Sequence, residues 1–467
     1  PIARARLPLS PSMAAPTSTA VTRRSKMRYV QFGTTDMLVS ECCAGTMMWG
    51  SFVEDKESAH AQLDALFEAG VNFIDTAELY PVAFNYGKTT EEWIGEWLGA
   101  RIASGTLERS KLHISSKCNM AGAGGTAPEG GEQGAHGYEA DILEASCRAS
   151  IKRLQCEYID IYLLHWPSRD TPIFGCATFY PEGEHRPFAF ADRGEAAAFD
   201  EQVLAVKRLL ELGLIKHWGV SNENNFGIAM FCAACDRLSV QRPVACENEY
   251  SLVNRTYEAN GWEAAYRFGL AGLPYAVLSG GVLTGKYHET SDASAEAVRA
   301  SRLCRQPNFQ PRYGGPMVML AAERYSALAR QYGLTPTEMA IAWAAQRPCN
   351  TSTIIGTTSV RQVRECVGAF LIELPQPLLD AIDDVHEEIR NPAVYLCRQH
   401  TWMVAPWLGE DARRASEAAT CKALHAAKAY SATADGEAAE GEAASGGDAH
   451  ADTAEPEGQS APKRQKA

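Results

Sequence analysis

Four ionisable side chains stand where short apolar runs end. Asp75 closes Asn72-Phe73-Ile74-Asp75, Tyr80 follows in Thr76-Ala77-Glu78-Leu79-Tyr80, Lys117 closes His113-Ile114-Ser115-Ser116-Lys117, and His165 follows Tyr162-Leu163-Leu164. Taken singly each has an ordinary reading: an Asp or Lys at a strand end caps a helix or forms an ion pair, and a lone His is a satisfied core residue. Taken together they suit one chemistry. A phenol with an unperturbed pKa near ~10 is too weak an acid for fast proton donation at neutral pH unless nearby positive charge stabilises its phenolate. Lys117 supplies that charge, Asp75 holds the ammonium, and a neutral His165 can donate a hydrogen bond to a substrate oxygen. Such a set stabilises and protonates a developing alkoxide. That is carbonyl reduction, with the hydride coming from a cofactor because no side chain can supply one.

The elements that must position these groups follow a repeated pattern of apolar run, then amphipathic segment. Strand-like runs fall at 39–46, 72–75, 112–117, 159–164, 216–220, 244–248, 273–278 and 353–355, and helical patterns at 57–69, 90–98, 139–154, 199–212 and 316–332. Gly70, Gly213 and Gly333 stand where helix C-caps are wanted. Strands alternating with helices imply parallel βαβ units. Eight of them predict a (β/α)₈ TIM barrel, whose active site is built at the C-terminal ends of its strands. The region exceeds the ~250 residues typical of that fold, and the surplus falls after strands, at 122–137 and 167–197. Long loops on that face shape substrate access; for the Gly-rich 122–137 segment a tolerated surface insertion is an equal reading.

Composition excludes other classes. The 467 residues carry a formal net charge of −13, which disfavours a nucleic-acid partner because a basic footprint is needed to neutralise phosphates. No run reaches the ~18 to 20 apolar residues of a membrane helix, so no membrane insertion is expected. The 14 cysteines are scattered rather than spaced as a disulfide scaffold, which suits a reducing compartment. Residues 1–35 hold Arg4, Arg6, Arg23, Arg24, Lys26 and Arg28 and no acid. This leader, drawn as 1–27 and expected to be disordered, reads either as an organelle transit peptide or as sequence upstream of a later start at Met13 or Met27. The compartment is accordingly cytoplasmic, or chloroplast or mitochondrion if the leader is a targeting segment. Residues 409–467 are rich in Ala, Glu, Gly and Asp and have too little apolar area to offset chain entropy, so an acidic, disordered tail is expected. The barrel and its C-terminal extension take 28–408.

Several motifs fail. Gly122-Ala123-Gly124-Gly125-Thr126-Ala127 loosely matches a dinucleotide-binding turn, but Pro128 and Gly130-Gly131 stand where the helix should begin. Gly87-Lys88-Thr89 lacks the first glycine of a P-loop, that place being Val82. Cys232 and Cys235 have redox spacing, but on an apolar helical pattern they read as core thiols. No His, Cys or carboxylate set has zinc spacing, and no metal is expected.

Over 28–392 the chain resembles the aldo-keto reductases, and among them the bacterial Tas-like members. The resemblance runs through Gly45-Thr46-Met47, Asp75 to Val82, Ser116-Lys117, His165-Trp166-Pro167, Gly219-Val220-Ser221-Asn222, Tyr250 to Arg255, Leu283-Thr284-Gly285-Lys286-Tyr287 and Ile355-Gly356-Thr357-Thr358. It implies a (β/α)₈ barrel that reduces aldehydes or ketones with NADPH, a small-molecule carbonyl as the partner, and Asp75, Tyr80, Lys117 and His165 as the catalytic tetrad. It also implies a cofactor site. Thr46 and Met47 match its first-strand edge. Ser221, Asn222 and Glu247 match positions holding the nicotinamide carboxamide, and Tyr275 matches the residue stacking on the ring. Leu278, Ser279, Gly280 and Lys286 match the loop over the pyrophosphate. Gly356, Thr358, Gln362, Glu365 and Cys366 match the segment holding the adenosine and its 2′-phosphate. Gly356-Thr357-Thr358-Ser359 also reads as an ordinary helix N-cap; the two coexist, since a helix N-terminus attracts phosphate.

Two positions depart from the family. Glu247 stands where the family usually has Gln, and Cys366 where it has Asn; a carboxylate cannot donate to a carboxamide oxygen and a thiol is a poor amide, so weaker cofactor binding is expected. The loop after Tyr80, 83–88, is short. Trp49 and Trp166 either line the pocket and favour apolar or aromatic carbonyls or simply pack. The family also contains potassium-channel β-subunits, so an NADPH-binding regulatory subunit is the alternative function. The sequence leaves the substrate and the oligomeric state open.

Overall fold

A computed structural model describes residues 20–81, 89–118, 138–169, 171–172, 195–288, 293–306 and 310–394. The loops at 83–88 and 122–137, most of 167–197 and the expected tail at 409–467 therefore lie outside the described residues.

Eight parallel strands form one sheet: β1 (Cys42–Gly45), β2 (Phe73–Asp75), β3 (His113–Cys118), β4 (Ile159–Leu164), β5 (Ile215–Ser221), β6 (Ala245–Glu249), β7 (Ala271–Tyr275) and β8 (Thr353–Gly356). Their pairing order is β7-β6-β5-β4-β3-β2-β1-β8. The circle closes between β7 and β8, where Thr351 N donates to Gly272 O at 2.8 Å and Gly272 N to Thr351 Oγ1 at 3.2 Å. The expected (β/α)₈ barrel is what forms. The helices around it are α1 (Lys56–Glu68), α2 (Thr89–Ala103), α3 (Ala140–Arg153), α4 (Glu195–Glu211), α5 (Asn225–Leu238), α6 (Trp262–Phe268), α7 (Pro316–Gln331), α8 (Pro336–Ala345), α9 (Val360–Ala369) and α10 (Gln376–Glu388).

Local chemistry starts and stops these helices. Asp55 caps α1 by accepting from Ser58 N at 2.7 Å, and Thr335 and Glu338 make a reciprocal capping box at α8, with Pro336 just inside. The three glycines expected after helices take positive φ, 89° at Gly70, 67° at Gly213 and 69° at Gly333, which a Cβ would oppose.

Side-chain parity sorts each strand into two cores. Cys43, Phe73, Ile161, Leu163, Ala245, Ala271, Leu273 and Ile354 fill the barrel interior, while Cys42, Ala44, Ile74, Ile114, Cys118, Tyr162 and Leu164 face the helices. The same parity carries Asp75, Lys117, Ser221, Glu247 and Tyr275 inward, two residues beyond an interior neighbour.

The expected strand at 39–46 divides in two. Leu38–Ser40 pairs antiparallel with Tyr29–Gln31, and β1 begins at Cys42. The break is at Glu41, a buried acid (2% exposed) that leaves the sheet line to meet Arg24 and Arg28. The hairpin carries Phe32 against Phe73, centroids 5.5 Å apart and edge to face, and so plugs the N-terminal end of the barrel. The seventh strand starts earlier than expected, at Ala271, and ends at Tyr275, where the left-handed backbone of Ala276 (φ 58°) turns the chain out of the sheet. Residues 20–27, the described part of the expected leader, are fastened to the barrel: Thr22–Arg23 pairs with Ile372–Glu373, and Arg24 donates to Phe370 O. The expected boundary at residue 28 thus falls inside the folded unit.

The seam depends on a glycine. A Cβ on Gly272 would lie 1.9 Å from Cys349 O, a backbone atom with no room to yield. Gly272→Ala is expected to cost about 3 kcal/mol of unfolding free energy by overpacking, measured as a lower denaturation midpoint in guanidinium at unchanged slope.

Candidate active site

The C-terminal mouth of the barrel gathers the four groups that the sequence places at strand ends. Lys117, inward on β3 and fully buried, donates from Nζ to Asp75 Oδ2 at 2.6 Å, to Thr76 O at 3.0 Å and to Tyr80 Oη at 3.3 Å. A further carboxylate reaches it from β6: Glu247 Oε1 lies 3.3 Å from the same nitrogen. His165 lies flat on Trp166, centroids 4.4 Å apart at 6°, and edge-on to Tyr80 at 6.0 Å.

Burial sets the protonation states. Burial alone would push the Lys117 ammonium down, but Asp75, Glu247 and Tyr80 outweigh it and hold it well above its ordinary range. Burial lowers His165 well below the usual imidazole range, and the Lys117 charge adds to this, so the ring is neutral as expected. Tyr80 shows a competition that the sequence reading weighed only on one side. Burial raises its phenol, Lys117 pulls it down, and Asp75 and Glu247 push it up again; the net direction is up.

Of the residues matched to a cofactor, Ser221, Asn222, Glu247 and Tyr275 stand at or just past strand ends beside these groups. Ser221 Oγ and Asn222 N both donate to Glu247 O, at 3.1 and 2.8 Å, and Asn222 Nδ2 donates to His165 O at 2.9 Å. Tyr275 Oη in turn donates to Asn222 Oδ1 at 2.6 Å. Thr46 Oγ1 donates to Asp75 O at 2.9 Å, and Met47 follows it, partly exposed. Leu278 precedes a short 3₁₀ turn, Ser279–Thr284, in which Ser279 and Gly280 take φ of 48° and 65°. Lys286 folds back over Gly281, and burial lowers its ammonium. Gly356 ends β8 exposed, and Gln362 Oε1 accepts from both Thr358 N (2.8 Å) and Thr358 Oγ1 (3.1 Å) across the N-terminus of α9, which Ser359 caps. Glu365 sits one turn further, partly exposed beside Arg361.

Cys366 and Trp49 do not join this surface. Cys366 is 3% exposed in the core between α9 and the barrel, its thiol pushed up to about 12 by burial and Glu365. Helix phase decides this: Val363, Cys366 and Val367 share the inward stripe of α9. Trp49 is likewise packed in the core (1% exposed). Trp166 remains at the mouth. Cys232 and Cys235 are buried on α5 with thiols raised to about 12, burial being the first cause for both, and so are core residues as read. Among the described residues no group of side chains has the makings of a metal site.

Three features were missed by sequence reasoning. Glu247 touches the tetrad lysine itself. Asn222, Ala276 and Ser279 hold left-handed backbone, φ 59°, 58° and 48°, at one rim of the mouth, where strained residues tend to gather. A buried ion pair pins the segment under the 279–284 turn: Arg312 donates to Glu249 through Nη2 at 2.8 Å and Nε at 3.2 Å, and Tyr313 Oη donates to Glu249 Oε1 at 2.6 Å. The signal available was an acid in an otherwise buried strand, in Cys246-Glu247-Asn248-Glu249. Removing Glu249 takes from the buried guanidinium the carboxylate that meets it through two hydrogen bonds. Glu249→Ala is expected to cost about 3–5 kcal/mol by chemical denaturation, with the loss shared by Arg312→Ala rather than added to it in the double variant.

The comparisons with known proteins agree with this fold. A model described as "Aldo/keto reductase family" matches residues 41–387. "Protein tas" of Escherichia coli is 32% identical over 370 residues, 79% of this chain and 100% of that one. "Uncharacterized oxidoreductase YrpG" of Bacillus subtilis is 26% identical over 359 residues, 77% and 96% of the two chains. "Probable voltage-gated potassium channel subunit beta" of Arabidopsis thaliana is 27% identical over 362 residues, again 77% and 96%. Among the described residues no helix is long and apolar enough to cross a membrane. With a family model spanning most of the barrel and a relative matched along its whole length, the chain belongs to the aldo/keto reductase family, a family of oxidoreductases acting on small molecules.

Proposed function

We propose that this protein reduces aldehydes or ketones to alcohols with NADPH, using Tyr80 as proton donor and Lys117, Asp75 and His165 as its supporting groups. The observation carrying this reading is the 3.3 Å approach of a fully buried, charged Lys117 to the Tyr80 hydroxyl. Spending an ammonium in a dry interior has a purpose when a neighbouring oxygen must part with a proton.

The mouth fits a nicotinamide dinucleotide. It offers donors and acceptors on Ser221, Asn222 and Glu247 beside the tetrad, an aromatic face at Tyr275, and exposed backbone at Gly356 and Thr358 over the N-terminus of α9, where phosphate is favoured. Ser279, Gly280 and Lys286 would hold the pyrophosphate, and Gln362 and Glu365 the adenosine side. When bound, the cofactor supplies the hydride to the carbonyl carbon. Every remaining task belongs to the chain. His165, neutral and braced by Trp166, donates a hydrogen bond to the carbonyl oxygen and orients it. Tyr80 passes its proton to that oxygen as negative charge develops there, and Lys117 stabilises the phenolate left behind. Asp75 keeps the ammonium charged and aimed. Trp166 gives the substrate side an aromatic wall.

The channel-subunit reading draws on the plant relative at 27% identity. It leaves the Lys117–Tyr80 contact without use, which favours the enzyme. Turnover decides between them. With a panel of aldehydes, quinones and ketones, Tyr80→Phe is expected to lower kcat by about 10²–10⁴-fold while NADPH still binds; a variant as fast as the parent, or no turnover by either, overturns the assignment.

Cofactor choice is tested separately by calorimetry. NADPH is expected to bind at least about tenfold tighter than NADH, on the order of 1.4 kcal/mol, because the α9 N-terminus and Gln362 face the 2′-phosphate position. Tighter binding of NADH would contradict the placement at 356–365.

A further inference from the structure

Two carboxylates flank one ammonium at the centre of the site. Asp75 holds the shorter contact with Lys117 Nζ, 2.6 Å, and Glu247 the longer one, 3.3 Å. All three side chains are nearly or wholly excluded from solvent, at 2%, 4% and 0% exposure. Each carboxyl group also leaves one buried oxygen, Asp75 Oδ1 and Glu247 Oε2, without a hydrogen-bond donor among the described residues. Two full negative charges beside one positive charge, with two unsatisfied oxygens, is an arrangement that a dry interior does not tolerate. One proton shared into the cluster removes the excess charge.

The titratable groups around it supply no other positive charge. Facing Glu247 are Asp75 on β2, Lys117 on β3, Tyr80 after β2, Cys43 on β1, Tyr275 on β7 and Cys246 on its own strand. Burial keeps Cys43, Cys246, Tyr80 and Tyr275 neutral, so Lys117 is the only cation among them.

We propose that Glu247 is held as a neutral carboxylic acid across Lys117 from Asp75, and that its proton is a condition for the reaction. This deepens, and rests on, the reading of the site as an NADPH-dependent carbonyl reductase. Asp75, with the closer contact, stays ionised. Protonated Glu247 carries both a donor and an acceptor, the pattern of an amide, so it can serve a nicotinamide carboxamide as a carboxylate cannot. It also leaves Lys117 facing one anion instead of two, which keeps the ammonium's pull on Tyr80. Loss of the proton at alkaline pH removes both effects, and acts as a pH-dependent brake. Burial first, and Asp75 second, raise the Glu247 carboxyl well above its usual range, which agrees with this assignment.

The sign for stability follows. Above the unfolded carboxyl value of ~4.3 the unfolded chain loses this proton while the folded chain keeps it, so folding loses ground as pH rises. The test compares the parent with Glu247→Gln, both free of cofactor. Infrared difference spectra at neutral pH are expected to show the carbonyl stretch of a protonated carboxylic acid in the parent and its loss in the variant. The folding constant of the variant relative to the parent is expected to rise by about tenfold per pH unit over part of the range from pH 5 to pH 8. With substrate, the alkaline limb of kcat/KM is expected to move to higher pH in the variant. The proposal is overturned if the parent lacks the band, if the variant retains it, or if the stability difference is the same across that range. The first two measurements need neither cofactor nor carbonyl, so they stand or fall apart from the reductase reading, which Tyr80→Phe tests.

Discussion

A charged lysine with no solvent contact is the constraint on which this barrel turns. An ammonium moved into a low-dielectric interior costs several kcal/mol even after relaxation, and Lys117 recovers that only through acceptors brought to it from separate parts of the fold. Asp75 comes from the neighbouring strand, Thr76 O and Tyr80 from the segment that follows it, and Glu247 from β6, three strands away from β3 in the pairing order. The last of these exists only if the sheet curls until β6 faces β2 and β3 across the interior. Closure at the Gly272–Thr351 seam is therefore a condition of the site's electrostatics as well as of the fold's stability.

This also explains which parts of the protein were legible in its sequence. The strands and helices were readable because period-2 and period-3.6 patterns are local, and the cluster of four groups was readable because Asp75 and His165 each end an apolar run and Lys117 stands near the end of its strand. Parity along a strand turned that position into a direction: two residues on from an interior Phe73, Asp75 must also face inward. Contacts across the barrel left no such trace. Glu247 lies 130 positions beyond Lys117, and nothing in Ala245-Cys246-Glu247-Asn248 names its partner. The run at 39–46 misled because Glu41, read as one more residue in a strand, is drawn aside by Arg28 and by Arg24, the latter from a segment expected to be outside the fold. Cys366 misled for the opposite reason: motif matching assigns a residue its place but not its phase on the helix, and the inward stripe of α9 takes the thiol into the core.

The formal charge of −13 acquires a different meaning at this scale. An anionic protein gains nothing from long-range steering of an anionic cofactor. On the proposed reading the phosphates must be met by groups that act within a few ångströms: the N-terminus of α9, with Gln362 already holding Thr358 N, and Lys286, folded over the 279–284 turn. The Arg312–Glu249 pair beneath that turn, doubly hydrogen-bonded and nearly dry, gives it a rigid floor. Rigidity there matters because Ser279 and Ala276 are held in left-handed backbone that the chain would otherwise relax.

The balance at Tyr80 bears on the direction in which such a site works. Burial raises the phenol more than Lys117 lowers it, so the hydroxyl keeps its proton through the neutral range. A group that keeps its proton is matched to an acceptor that becomes strongly basic, as an alkoxide does once hydride has arrived, and is poorly matched to removing a proton from an alcohol. On the proposed reading Lys117 then has a graded task. It must stabilise the phenolate enough for transfer to be quick, yet not so far that Tyr80 loses its proton beforehand. The anions around the ammonium set that grade, since each one added weakens its hold on the phenolate, and the number of carboxylates ionised beside Lys117 becomes the variable that tunes reduction against oxidation.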